Sequence, residues 1–400
     1  MRFLLLDIDG VLLEPHGYRK SYRDTVNLFL ASFGFPELQV DDSIAELFEY
    51  YGIPAEWDMV PLTLAAFLSW YVENSPIPKQ FQTLNDLKNL APIDADTGFI
   101  DQLRLFIPKV AACINGAGVP AAAVYKNCKT AKEESCLPAV WDQPVLADLL
   151  GNSINVNRSL PFRVLETFVL GTEEFEKHFG ITTDQGILSN LELADIPILS
   201  KEFQERISAE SGVVYYSAVM TARPNLLPVE IEKPELLVSS LPEAELAMTL
   251  FGWDEGRMKI CGAGTLHYYE QRFGYPQESR LKPSAMHALW AMIESATGSF
   301  QTAFDLLSKW DLEQPVENPF AGVFPPEIPI EIAVFEDSAS GVRSAAAAAD
   351  VLRAYGYQVK LDKYGIITTD GKRRLLEAQD AKIFPNVNEA LTDYFSKMNL

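Results

Sequence analysis

The sequence predicts an α/β fold, a doubly wound and mainly parallel sheet interrupted by a large, mostly helical insertion. Three observations predict it. The chain opens on an apolar run, Phe3-Leu4-Leu5-Leu6, that passes directly into Asp7-Ile8-Asp9-Gly10-Val11. Such a run is a buried strand whose C-terminal end carries acids. From about Gly186 onward, strand-like and helix-like segments alternate, which requires crossover connections and therefore parallel strands. Between about Glu14 and Gln185, strand-like runs are scarce and helical periodicity prevails.

Taken in order, Ser21 to Phe33, Asp42 to Tyr51, Pro61 to Val72 and Arg163 to Phe179 fit amphipathic or buried helices. Val213 to Met220 is β-rich, Glu243 to Phe251 suits a helix, and Met258 to Cys261 suits a short strand. Pro283 to Ser295 then suits a helix opened by proline at its first position. Ile332 to Phe335 suits a strand, the alanine-rich Ser340 to Tyr355 a helix, Ile383 to Phe384 a weak strand, and Val387 to Tyr394 a final helix. The opening strand belongs by character with the second half. The expected organisation is a Rossmann-like core of residues 1–15 plus 186–400, with a helical domain of residues 16–185 inserted after the first strand.

Composition narrows the function classes. The 400 residues exceed one ordinary domain, and 48% apolar with 22% charged residues make a globular chain. Lys plus Arg number 33 against 55 Asp plus Glu, a net charge of −22. That balance repels nucleic-acid phosphates and anionic membranes, so neither is an expected partner. The apolar start is broken by Asp7, and the longest apolar segment, Val60 to Val72, falls short of the roughly 20 residues that span a bilayer. A cytoplasmic protein is expected. Cys113, Cys128, Cys136 and Cys261 form no CxxC pair, which speaks against zinc or a disulfide framework.

Chemistry concentrates at strand ends. Asp7 and Asp9, one residue apart, can divide labour between nucleophile or metal ligand and proton carrier. Thr221 closes the strand at Met220 and can donate to an anion beside Asp7; Ser217, inside that strand, is the poorer candidate. Lys282, just before Pro283 and a helix, suits a phosphate oxygen, with Lys259 as the alternative cation. Glu336 and Asp337 end the strand Ile332–Phe335, and adjacent acids there need a cation. Mg²⁺, which takes a few carboxylates plus water and phosphate, is the natural one. Asp337 as a helix N-cap is the bland alternative.

Asp7-Ile8-Asp9-Gly10-Val11, Thr221, Lys282-Pro283 and Phe335-Glu336-Asp337-Ser338 with Gly341 resemble, in order, the four motifs of the haloacid dehalogenase superfamily. Within it the chain resembles the phosphatases and β-phosphoglucomutase-like enzymes that carry a helical cap. The resemblance covers the core, about half the chain. It departs from the family's pattern in the long insertion and in the wide gap between Thr221 and Lys282. It implies Asp7 as a nucleophile that forms an aspartyl-phosphate and Asp9 as general acid, then base. Thr221 and Lys282 would grip phosphate oxygens. Asp7, the Asp9 carbonyl, Asp337 and Glu336 would form the Mg²⁺ site, and the cap would close over it.

The expected function is a Mg²⁺-dependent phosphatase acting on a small phosphorylated metabolite such as a sugar phosphate. Asp9 favours ester hydrolysis because a leaving alkoxide needs a proton, whereas a dehalogenase does not. The alternatives are a phosphomutase of the β-phosphoglucomutase type and a non-catalytic sensor of a phosphorylated ligand. Weaker motifs are set aside. Asp94-Ala95-Asp96 resembles a calcium loop but lacks its closing Glu, since Leu105 stands there. Gly262-Ala263-Gly264 lacks the third glycine of a dinucleotide loop. His16, His178, His267 and His287 are dispersed and read as surface or packing residues, although His16, Tyr18 and Arg23 follow the first strand closely enough to face the cleft.

Overall fold

A computed structural model of the chain describes residues 1–75, 80–88, 90–93, 98–114, 120–128, 135–183, 186–231, 239–253, 258–313, 316–367 and 369–398. Two compact units emerge: Met1–Pro15 with Asp195–Leu400, and His16–Ala194. The second segment of the core thus starts at Asp195 instead of Gly186. The cause is the short helix Asn190–Ala194, which packs on helix Gly17–Phe33. Asn190 Nδ2 donates to Ser21 Oγ (3.2 Å) and Asp24 Oδ2 (3.0 Å).

In the first unit the strands are β1 (Arg2–Leu6), β2 (Leu13–Glu14), β3 (Ile196–Pro197), β4 (Tyr216–Met220), β5 (Lys259–Cys261), β6 (Ile330–Glu336), β7 (Val359–Ile366) and β8 (Lys382–Phe384). Six of them form one sheet in the order β5-β4-β1-β6-β7-β8, every neighbour parallel. β2 and β3 make a separate antiparallel pair. The chain starts mid-sheet, builds outward through β4 and β5, then returns to add β6, β7 and β8 on the other side of β1. This is the Rossmann-like, doubly wound order, and it reverses direction between β1 and β6. Ligands of such sheets bind beyond the C-terminal strand ends at that reversal. Asp7 follows β1 there, and Glu336 ends β6.

The period-two alternation of β1 divides its side chains between two apolar layers. Phe3 and Leu5 pack with Met220, Val334 and residues of helices Ala263–Phe273, Ala285–Thr297 and Ala339–Ala354. Leu4 and Leu6 pack with Val219, Phe335 and residues of helices Lys201–Glu210, Glu243–Thr249 and Val387–Lys397. These four apolar side chains of β1 are fully buried. At about 1.5–3 kcal/mol each, they fix the central strand and with it Asp7.

Among the departures from expectation, two lie next to the site. The helix after Lys282 begins at Ala285, capped by Ser284, whose hydroxyl accepts from the Met286 amide (3.2 Å). Pro283 lies outside it, joined to Lys282 by a cis peptide bond. β7, Val-Lys-Leu-Asp-Lys-Tyr-Gly-Ile, has no counterpart in the sequence expectations. Its first half alternates apolar with charged residues and is only partly buried, so it lacks the continuous apolar run of its neighbours.

The second unit is helical, and among the described residues it contains no strand. Phe33, Phe35, Phe67, Trp70, Tyr71 and Phe99 form its aromatic centre, with the Phe35 and Phe67 ring centroids 5.4 Å apart. Arg163 to Phe179 is two helices, Leu160–Leu170 and Thr172–Phe179, divided at Gly171. Gly171 has φ +79°, and a Cβ there would lie 2.8 Å from the Ser189 amide nitrogen. Among the described residues, no helix is long and apolar enough to cross a membrane.

Candidate functional site

Asp7 sits one residue beyond β1, at the C-terminal end of the sheet. The Ile8 amide donates to its Oδ1 at 2.9 Å, and its own amide donates to the Phe335 carbonyl (3.1 Å). Gly10 then turns the chain with φ +74°, and a Cβ at this position would overlap Asp337 Oδ2. Glycine is therefore required twice, for the backbone angle and for the approach of Asp337.

Across the β1–β6 seam, Glu336 is fully buried and Asp337 nearly so. Ser338, not Asp337, caps the following helix, its hydroxyl accepting from the Gly341 amide (3.3 Å) and donating to Glu336 Oε2 (2.8 Å). Gly341 makes room for Glu336, since a Cβ there would overlap the Glu336 carboxylate. One carboxylate oxygen each from Asp7, Glu336 and Asp337 lies within 4.8 Å of the others.

Lys282 reaches this trio. Its Nζ stands 2.9 Å from Asp7 Oδ1 and 2.6 Å from Glu336 Oε1. The side chain is 7% exposed; burial works against the charge, but Asp7 and then Glu336 hold the ammonium charged, above its ordinary value. His287 positions this lysine from below. The Lys282 amide donates to Nδ1 (3.2 Å), so Nε2 carries the proton and donates to the Cys261 carbonyl (2.9 Å). Burial, then Lys282, lowers the His287 pKa to about 3, which keeps the ring neutral in this role. Lys259 is elsewhere: it opens β5 opposite Ala218 and lies near Glu294.

Asp9 and Thr221 converge on Arg223, a residue the sequence reading passes over. Arg223 Nε is 3.0 Å from Asp9 Oδ1 and 3.1 Å from Oδ2, and Nη2 is 2.5 Å from Oδ1. Nη2 also meets Asp195 Oδ2 at 2.8 Å. The guanidinium is buried, whereas the Asp9 side chain is 33% exposed. The Thr221 hydroxyl oxygen accepts from the Arg223 amide (3.1 Å), which fixes the root of that arginine. Its own O–H remains available to donate. Arg223 stands three residues after the end of β4.

Lys372 is the second missed residue. It stands in the first turn of helix Asp370–Glu377, after β7, and forms an ion pair with Asp337 Oδ2. With β7 unforeseen, nothing in the sequence placed this lysine at the sheet's functional edge.

The weaker motifs resolve variously. Asp94 and Asp96 lie outside the described residues. Gly264 abuts the Asn225 carbonyl too closely for any side chain, which accounts for that glycine by packing. Arg23 pairs with Asp42 at 2.7 Å. His178 bonds to Glu174 (3.1 Å), and His267 to Ser239 (2.8 Å). Ser217 donates to Ser211 at 2.5 Å.

The trio's electrostatics favour a cation. Burial, with Asp7 reinforcing and Lys282 opposing, pushes Glu336 up to about 8. Burial also raises Asp337 to about 6, against the pull of Lys372. Three buried carboxylates that each offer an oxygen to one point are a hard donor set of the kind Mg²⁺ takes together with water, and in chemistry the residues fit it.

A carboxyl whose folded pKa exceeds its unfolded value binds more protons when folded, so stability falls as pH rises between the two. For Glu336 that window runs from 4.5 to about 8, and for Asp337 from 3.8 to about 6. In EDTA, the melting temperature should fall across pH 5 to about 8, Glu336→Gln should flatten the fall, and Mg²⁺ should offset it. An identical slope in Glu336→Gln contradicts this account of the cluster.

No protein-family model and no curated protein matches the chain. Among solved structures it resembles an X-ray structure of a Northeast Structural Genomics Consortium target, with a TM-score of 0.63 and 14% identity over 100% of this chain and 99% of that one. At that identity the likeness establishes the α/β fold.

Proposed function

We propose that the chain is a Mg²⁺-dependent phosphoric monoester hydrolase of the haloacid dehalogenase kind, acting on a small phosphorylated metabolite through an aspartyl-phosphate on Asp7. The observation that carries this reading is the meeting of Asp7, Glu336 and Asp337 with Lys282 at the β1–β6 reversal. Three buried carboxylates, one of them the oxygen nucleophile, and one fixed cation supply the positioning and charge that phosphoryl transfer uses.

Asp7 and Asp337 would hold the ion, with Glu336 beside them. When bound, Mg²⁺ supplies positive charge for the phosphoryl oxygens and draws these carboxylates together. The Ile8 amide and Lys282 orient Asp7, so that one of its oxygens attacks phosphorus in line as the bond to the leaving oxygen breaks. Lys282 shares charge with the equatorial oxygens, and the Thr221 hydroxyl is placed to donate to one. Asp9 gives its proton to the departing alkoxide, then takes one from the water that attacks the aspartyl-phosphate, releasing phosphate and restoring Asp7. Of its two oxygens, Oδ2 is the less engaged by Arg223, with one contact against two, and is the one free to exchange the proton.

The test is hydrolysis of p-nitrophenyl phosphate and of a hexose phosphate, with Mg²⁺ and with EDTA. Free phosphate that depends on Mg²⁺ supports the reading; an isomerised ester points to a mutase instead. Asp9→Asn should lower kcat/KM on the hexose phosphate by roughly 10²–10⁴-fold and far less on the aryl phosphate, whose leaving group needs no proton. Equal losses on both remove the acid role from Asp9.

A further inference from the structure

We propose that Lys372 is a displaceable counter-ion, whose ammonium pairs with Asp337 and gives way when a divalent cation binds there. This rests on the reading of Asp7, Glu336 and Asp337 as a cation site, and names the group with which the cation competes.

Two lysines serve the three carboxylates, and they are held differently. Lys282 is 7% exposed, bonded to both Asp7 and Glu336, and anchored through its amide to His287. It has no route to water that does not strand buried charge. Lys372 is 43% exposed and pairs with Asp337, whose side chain is 8% exposed. Its four-carbon stem springs from the first turn of a surface helix in which Lys372, Arg373 and Arg374 are consecutive. Swinging its ammonium into solvent requires only side-chain rotation, and hydration replaces the lost partner.

Charge arithmetic gives the direction of the exchange. With all three carboxylates ionised, as the bound cation would require, they leave −1 against the two ammonium groups, since −3 + 2 = −1. With a divalent ion in place of Lys372 the sum is −3 + 1 + 2 = 0. A buried acidic surplus is costly, so the exchange neutralises what the lysine leaves uncompensated. Once released, Lys372 stands at the rim of the same site, where an incoming phosphate brings about −2 of fresh charge.

The experiment titrates the full chain with MgCl₂, without substrate, by isothermal titration calorimetry. Lys372→Met should bind Mg²⁺ about fivefold more tightly than the parent, the equivalent of a partly exposed ion pair, and should melt at a lower temperature in EDTA. Lys372→Arg, which keeps the charge, should return both values toward the parent. Lys372→Gln serves if the methionine variant folds poorly. In the unmodified protein, acetylation of Lys372 by acetic anhydride, quantified by mass spectrometry, should rise when Mg²⁺ is added.

Equal or weaker Mg²⁺ binding by Lys372→Met, or acetylation indifferent to Mg²⁺, overturns the role of Lys372 and leaves the cation site standing. A parent protein that binds no divalent ion at millimolar concentration overturns both.

Discussion

Asp7→Asn should fold normally and lose turnover of p-nitrophenyl phosphate by on the order of 10⁵-fold, the scale of removing a covalent nucleophile. An amide is a poor nucleophile toward phosphorus, so the loss falls on the chemical step. The fold should survive because the substitution removes one charge from an overloaded cluster. Glu336 and Asp337 then face Lys282 and Lys372 in balance. Asp7→Ala, which cannot revert by deamidation, is the control, with circular dichroism melting as the check on folding. A rate equal to that of the parent removes Asp7 from the chemistry.

Lys282→Met should be the most destabilising single change at the site, by about 3–5 kcal/mol, because it strands buried acids without their partner. The methionine fills the lysine's volume but leaves Asp7 and Glu336, both buried, facing each other across an apolar side chain. Urea unfolding in EDTA measures the effect. Adding Glu336→Gln to Lys282→Met removes one stranded charge and should recover much of the loss, a coupling that a double-mutant cycle isolates. If Lys282→Met unfolds at the same urea concentration as the parent, the ion pairs to Asp7 and Glu336 carry no weight.

The site was legible in the sequence wherever a short apolar run ended in an acid. Phe3–Leu6 before Asp7 and Ile332–Phe335 before Glu336 show both the strand and its functional end within a few residues, because a buried parallel strand has no polar positions of its own. The sheet order was accessible only as a class, since strand adjacency depends on crossovers that local patterns do not encode. Residues recruited by tertiary pairing stayed hidden. Arg223 meets Asp9 across 214 positions, and neither neighbourhood signals the other. Lys372 was missed through its strand: β7 mixes Lys360, Asp362 and Lys363 with apolar residues at the sheet's less buried side, so its pattern resembles a solvated segment. The boundary of the helical unit moved for a similar reason. Asn190–Ala194 is only five residues long, and its packing on Gly17–Phe33 assigns it to that unit.

If Asp7 takes the phosphoryl group, chemical trapping will find it there. The protein is mixed with excess p-nitrophenyl phosphate and Mg²⁺, quenched within the first turnovers, and treated with borohydride, which reduces an acyl phosphate to an alcohol and releases phosphate. Peptide mass spectrometry should then find homoserine in place of Asp7, dependent on Mg²⁺ and absent without substrate. Homoserine at another aspartate, or none at all while phosphate is being released, would contradict the account.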